Sequence, residues 1–194
     1  MTRRPDDGTT LVEFTVGMTL LGVVLAGAAA FAVGTQKTIA RTQVTARTQA
    51  DLRSVADVLA RQLPAASAVS DPGLSGGSWF VEYRVDATVT GAAVCYQWKL
   101  DGGRRTLAER SWDPVTATPT PWVTFARDVT NDPATEAPFT VTAPVDASSL
   151  ARVDVSLAVR HPGGPLLRSL ETFTLRNLPY GATASTSCNQ VARS

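Results

Sequence analysis

Residues 11–33 read LVEFTVGMTLLGVVLAGAAAFAV, an apolar run with a single ionisable side chain, Glu13. As a helix this run would be about 35 Å long, which is enough to cross a hydrocarbon core of roughly 30 Å. From Thr9 to Gln36, Glu13 is the only ionisable residue. An acidic residue near the bilayer core costs roughly 2.5 to 3.5 kcal/mol on insertion scales, so we expect it to have a partner charge. A free amine is the natural partner, and the stretch predicts one spanning helix that carries a functional acid.

A short leader with two arginines precedes this run and ends in glycine. Thr9 follows Gly8, and Glu13 lies five places after Gly8. This order resembles the class III signal of type IV prepilins and pseudopilins, over about Met1 to Leu63. The resemblance implies that a membrane-embedded prepilin peptidase cuts after Gly8 and methylates the new N-terminus at Thr9.

Two other interpretations of the N-terminus remain open. One is an ordinary secretory signal, with Arg3 and Arg4 before the apolar core and a small-residue cleavage site at 28–30. The other is a plain signal anchor. Glu13 counts against a cleaved signal, because a carboxylate near the start of the core impairs insertion and has no use in a discarded segment.

Charge alone leaves the orientation of the helix open. Arg3 and Arg4 place the N-terminus on the cytoplasmic side, whereas Lys37, Arg41 and Arg47 argue for the reverse under the positive-inside rule. The resemblance implies a single pass through the cytoplasmic membrane with the C-terminal domain outside, and a cell-surface filament after assembly.

Four glycines interrupt the spanning segment, at positions 17, 22, 27 and 34. Glycine weakens an exposed helix, but small residues let membrane helices approach closely. The resemblance implies that part of this segment loses helicity on assembly, and we expect that part to be Gly17 to Gly22.

The pattern changes after Gln36 to a polar helix with one apolar stripe. The stripe recurs at helical spacing and predicts a face that packs on a sheet: Leu52, Val55, Ala56, Leu59 and Leu63. Pro64 should end the helix at or before Leu63. The chain therefore divides into a leader at 1–8, a spanning and assembly segment at 9–34, an amphipathic helix at 35–63 and an antiparallel β domain at 65–194.

The β domain begins with a predicted loop at 65–78 and continues as strands. The clearest hairpin joins a strand ending at Leu100 to one ending at Trp112 through the turn Asp101-Gly102-Gly103. Further strands are expected at 79–85, 122–129, 151–160 and 168–175. A long N-terminal α-helix packed on an antiparallel sheet is an α+β fold, and it matches the pilin-like architecture that the resemblance implies.

Cys95 and Cys188 are the only cysteines. If the domain lies outside the membrane, oxidising conditions permit a disulfide between them, which would tie the C-terminal tail to the sheet. His161, the lone histidine, precedes Pro-Gly-Gly-Pro, which predicts a solvated loop residue. Two cysteines and one histidine at these spacings do not form a metal site, so we expect none.

Neither catalysis nor nucleic-acid binding is indicated. No nucleophile elbow, phosphate loop or metalloprotease motif is present, so we expect no enzyme and no cofactor. From Ala65 onward, eleven Lys and Arg face twelve Asp and Glu, so no basic surface for nucleic acid is expected.

The hairpin strands at 94–98 and 107–110 resemble those of minor pilins and minor pseudopilins. This resemblance implies a minor subunit of a type IV pilus or a type II secretion-like pseudopilus that initiates or caps filament assembly. Its partners would be other pilin or pseudopilin subunits, the prepilin peptidase and membrane lipid, with Glu13 neutralising the Thr9 amine of a neighbouring subunit. The alternative is a membrane-tethered extracytoplasmic binding domain that acts as a monomer, and an anchored enzyme ranks third.

Overall fold

One α-helix, α1, runs from Leu11 to Gln62 in the computed structural model, which describes residues 11–86, 91–146, 148–178, 188 and 191–193. A short 3-10 turn at Leu63–Ala65 follows it. Because proline lacks an N–H and disfavours α conformation in the preceding residue, Pro64 ends the helix where the sequence predicts.

Within the described residues, nine antiparallel strands form two sheets. The strands are β1 Ala66–Val69, β2 Gly73–Ser75, β3 Ser78–Val85, β4 Val94–Asp101, β5 Thr106–Trp112, β6 Val123–Ala126, β7 Phe139–Thr142, β8 Ala151–Val159 and β9 Leu167–Leu175. Sheet 1 has the order β1-β3-β4-β5-β6, and β2 also pairs with β3. Sheet 2 has the order β7-β8-β9. A long N-terminal helix followed by antiparallel sheets confirms the predicted α+β class at this level.

The predicted β4–β5 hairpin is present, and the strands expected at 151–160 and 168–175 pair as β8 and β9. In the β4–β5 hairpin, the Oδ1 atom of Asp101 accepts a hydrogen bond from the Arg104 backbone N–H at 2.9 Å. Arg105 takes a left-handed conformation with φ 54°. The turn therefore extends to Arg105, and β5 begins at Thr106 instead of Arg104.

Three strand predictions need correction. The segment 65–78, expected to be a loop, contains β1 and β2, because the open edge of β3 gives these short stretches a pairing partner. The strand expected at 122–129 is only Val123–Ala126, since Asp128 has a left-handed φ of 54° that breaks the ladder. Finally, β7 lies in a stretch for which the sequence predicts no strand. It pairs with β8, so the domain has two sheets and not the single sheet that the sequence predicts.

The core lies where the two sheets and the apolar stripe of α1 meet. Leu52, Val55 and Leu59 are buried, as the stripe predicts, while Ala56 is half-buried. Trp98 is fully buried and its ring lies 5.2 Å from that of Phe125 between centroids. Sheet 2 contributes its inward-facing residues to the same cluster, among them Val153, Val155, Leu157 and Phe139.

The chain divides into two compact units, Met1–Gln43 and Val44–Ser194. The second unit contains both sheets and α1 from Val44 onward. The hydrophobic core therefore belongs to the second unit.

Candidate functional site

The first part of α1 is an exposed apolar surface. Every residue from Leu11 to Gly34 is exposed, and Glu13 is the one ionisable side chain among them. Among the described residues, α1 is the one helix long and apolar enough to cross a membrane. By length and composition, the first unit can therefore serve as a single-pass anchor.

Two threonines within this surface are satisfied by the helix itself. The Thr15 hydroxyl donates to the Leu11 carbonyl and the Thr19 hydroxyl donates to the Val16 carbonyl, both at 2.8 Å. An unpaired hydroxyl would be costly in hydrocarbon. Because both donors are paired locally, these threonines are compatible with a lipid environment.

Glu13 lies beside a shallow depression on the helix surface. Phe14, Gly17, Met18 and Leu21 line it together with Glu13. A Cβ placed on Gly17 would meet no atom within 4 Å, so packing within the described chain does not require glycine there. The missing side chain leaves room for another helix to approach the carboxylate.

Two further predictions for this segment concern the assembled state and the processed N-terminus. Gly17 to Gly22 is helical here, and its loss of helicity on assembly stays a prediction. Gly8 and Thr9, the predicted cleavage and methylation site, lie outside the described residues.

Cys95 on β4 is joined to Cys188 by a disulfide, with Cα atoms 5.7 Å apart. Both cysteines are buried, and Trp112 and Val191 pack against them in a small cluster separate from the main core. The bridge thereby attaches the C-terminal segment to sheet 1. The predicted site residues are thus divided between the two units, with Glu13 in the first and both cysteines in the second.

His161 lies in a loop, as predicted, but its side chain is paired and only 18% exposed instead of solvated. Its Nδ1 lies 2.7 Å from Asp128 Oδ2 and its Nε2 lies 3.3 Å from Asp51 Oδ2. These contacts join the loop after β8 to α1, close to where Gly164 lies against Val44. No group of three or more His, Cys, Asp and Glu within the described ranges is arranged to hold a metal ion.

A buried polar chain that sequence reasoning missed connects the end of α1 to sheet 1. Trp98 Nε1 donates to the Tyr83 hydroxyl at 3.0 Å, and this hydroxyl donates to Gln62 Oε1. Gln62 Nε2 in turn donates to Glu109 Oε1 at 3.3 Å. The available signal was strand alternation, because Glu109 shares the inward face of β5 with Leu107.

Burial changes the acidity of two groups in this chain. It raises the pKa of Glu109 to about 7, and the hydrogen bond from Gln62 offsets only part of that effect. Burial likewise raises the pKa of the Tyr83 phenol well above its ordinary value. Glu109 therefore titrates near neutral pH at the joint between α1 and the sheet.

Comparisons of the chain with protein-family models, with curated proteins and with solved structures found no match.

Proposed function

We propose that this protein is a membrane-anchored structural subunit that assembles through its N-terminal helix, like the minor pilins and minor pseudopilins. In this proposal the precursor is cut after Gly8, the new amine belongs to Thr9, and the β domain lies outside the cytoplasmic membrane. The subunit would initiate or cap a filament.

The observation that carries the proposal is one carboxylate, Glu13, in the otherwise apolar and exposed part of α1 from Leu11 to Gly34. A bilayer tolerates this residue only at a cost, whereas an interface between helices can supply a cation to it. The amine of Thr9 from a neighbouring subunit is such a cation. This ion pair would also set the register between neighbouring subunits, because it forms at only one relative position of their helices.

The surroundings of Glu13 support helix–helix association. Gly17 leaves open space one turn after Glu13, and the flanking Phe14, Met18 and Leu21 offer apolar contact. Close helix approach beside small residues is the usual mode of association in membranes.

The disulfide supports a location outside the cytoplasm. Disulfides persist in oxidising compartments and are rare in the cytosol. Cys95 and Cys188 lie in the second unit, so the β domain would be the exported part.

The test is Glu13→Leu in cells that make the filament, with Val24→Leu as the matched control in the same exposed segment but outside the depression beside Glu13. Replacing the carboxylate makes the helix more hydrophobic, so membrane insertion should equal or exceed that of the wild type. We expect cleavage after Gly8 to persist by mass spectrometry, while recovery of Glu13→Leu in sheared filaments or crosslinked subunit complexes falls at least tenfold.

The control should assemble normally. Undiminished incorporation of Glu13→Leu would contradict the proposal and favour a membrane-tethered binding domain that acts as a monomer. A mature N-terminus near Phe31 would instead indicate a cleaved secretory signal.

A further inference from the structure

Glu82 is a buried carboxylate on the face of sheet 1 opposite α1. Only 2% of the residue is exposed. Its Oε2 accepts a hydrogen bond from the Ser70 hydroxyl at 2.6 Å and its Oε1 accepts one from Gln97 Nε2 at 2.7 Å. Gln97 is itself fixed, because its Oε1 accepts a hydrogen bond from Arg110 Nε at 2.7 Å. Ser70 and Gln97 therefore each hold one carboxylate oxygen of Glu82 from the β domain.

Arg193 meets this carboxylate in a two-point arrangement. Its Nε donates to Glu82 Oε1 at 3.0 Å and its Nη2 donates to Glu82 Oε2 at 2.6 Å. Nη2 also donates to the Asp71 carbonyl at 2.9 Å. A planar guanidinium fits such parallel acceptors, whereas an ammonium is a point charge that does not reproduce the fork.

Gly73 makes room for the remaining edge of the guanidinium. A Cβ on Gly73 would lie 2.6 Å from Arg193 Nη1, closer than atoms pack. An added side chain at Gly73 would therefore force the Arg193 guanidinium to shift from its present position.

The rest of the tail approaches over the surface of the sheet. Arg110 Nη2 donates to the Ala192 carbonyl at 2.7 Å, and the Ser75 hydroxyl donates to the Arg193 carbonyl at 3.2 Å. The Arg193 side chain is 30% exposed while that of Glu82 is 2% exposed. The buried partner thus belongs to the sheet and the accessible partner to the tail.

We propose that Glu82, Ser70, Gln97, Gly73 and the Asp71 carbonyl form a preorganised binding site specific for a guanidinium group, here called the guanidinium site. The C-terminal tail fills it with Arg193 as a tethered ligand. This site is independent of the proposed filament function.

The test is chemical rescue of the full-length Arg193→Ala protein in detergent. All four tryptophans lie in the β domain, so their fluorescence reports its Tm. Arg193→Ala leaves the buried carboxylate without its cation, and we expect the Tm to fall by roughly 4–8 °C. Millimolar methylguanidinium should raise it again by roughly 3 °C or more with saturation, because the ligand binds only the folded state. Methylammonium at equal ionic strength should leave the Tm of Arg193→Ala unchanged.

Two variants locate the effect. Gly73→Ala combined with Arg193→Ala should weaken the rescue, because the ligand must shift away from the added methyl group. Glu82→Gln combined with Arg193→Ala should abolish it by removing the acceptor charge. Methylguanidinium should not raise the Tm of the wild type, because Arg193 already fills the site. It should not raise the Tm of Arg176→Ala either, which serves as the control at an exposed residue. Equal rescue by methylammonium, rescue that survives both double variants, or no rescue of Arg193→Ala would each overturn the proposal.

Discussion

Glu109 lies where α1 and sheet 1 meet. Its Oε1 accepts a hydrogen bond from Gln62, and its Oε2 is buried. Oε2 has no hydrogen-bond partner among the described residues. A buried carboxylate in this position favours its neutral form, and the raised pKa of about 7 expresses that preference. The folded protein therefore binds a proton at Glu109 more tightly than the unfolded chain does.

The stability of the β domain should consequently fall as pH rises. The contribution of Glu109 is fully present below its unfolded pKa, near 4.5, and is lost as pH rises through about 7. We expect the free energy of unfolding of the wild type to drop by about 1–3 kcal/mol between pH 5 and pH 8 from this group. Denaturant titrations of Glu109→Gln, a neutral isostere, should lack this component. Parallel pH profiles for the two proteins would contradict the assignment.

At the scale of elements, α1 contains one surface that packs within the chain and one that does not. Leu59 is 1% exposed in the core, whereas Leu20 is 62% exposed in the apolar N-terminal surface. The same residue type on one helix therefore packs in the core at one position and remains exposed at the other.

The matched pair Leu59→Ala and Leu20→Ala separates these roles. Removing a buried leucine side chain leaves a cavity and costs about 2–5 kcal/mol, so Leu59→Ala should lower the free energy of unfolding of the β domain by that amount. Leu20→Ala should change it by less than about 0.5 kcal/mol. Denaturant titration followed by tryptophan fluorescence measures both. Equal destabilisation by the two substitutions would contradict the division.

The sequence predicts those elements whose signal is local. The apolar run, the stripe through Leu52 and Leu59, the stop at Pro64 and the hairpin turn after Leu100 each follow from periodicity or backbone chemistry, and the structure contains all four. Strands β1, β2 and β7 have weak local signals and exist because a neighbouring strand pairs with them. Such pairing is a tertiary effect that a short window of sequence does not contain.

The site residues likewise divide into those that the local sequence indicates and those that only the folded chain brings together. Glu13 and the cysteines stand out in the sequence because of residue type, an acid in an apolar run and a single pair of thiols. The contacts of Glu82 with Arg193 and of Glu109 with Gln62 join residues 111 and 47 positions apart. His161 likewise meets Asp51 only after the loop following β8 has folded against α1. Distant partners of this kind follow from topology and not from spacing.

At the scale of the whole molecule, the two compact units separate anchoring from domain stability. The disulfide and the core both belong to residues 44–194, while the apolar segment suited to a bilayer belongs to residues 1–43. A change that destabilises the second unit should therefore leave membrane attachment intact.

The double replacement Cys95→Ser and Cys188→Ser tests this separation. The disulfide closes a loop spanning 93 positions, and in the chain-entropy model its removal should lower the free energy of unfolding by about 2–5 kcal/mol. Because Trp112 and Val191 pack against the bridge, part of the loss should come from this small cluster as well. Denaturant titration of the detergent-solubilised protein measures the loss, and resistance to carbonate extraction of membranes measures anchoring. We expect the free energy of unfolding to decrease strongly. Resistance to carbonate extraction should not change, because the spanning segment inserts through its own hydrophobicity. Release of the variant from membranes would show that the folded β domain contributes to anchoring, contrary to the division into two units.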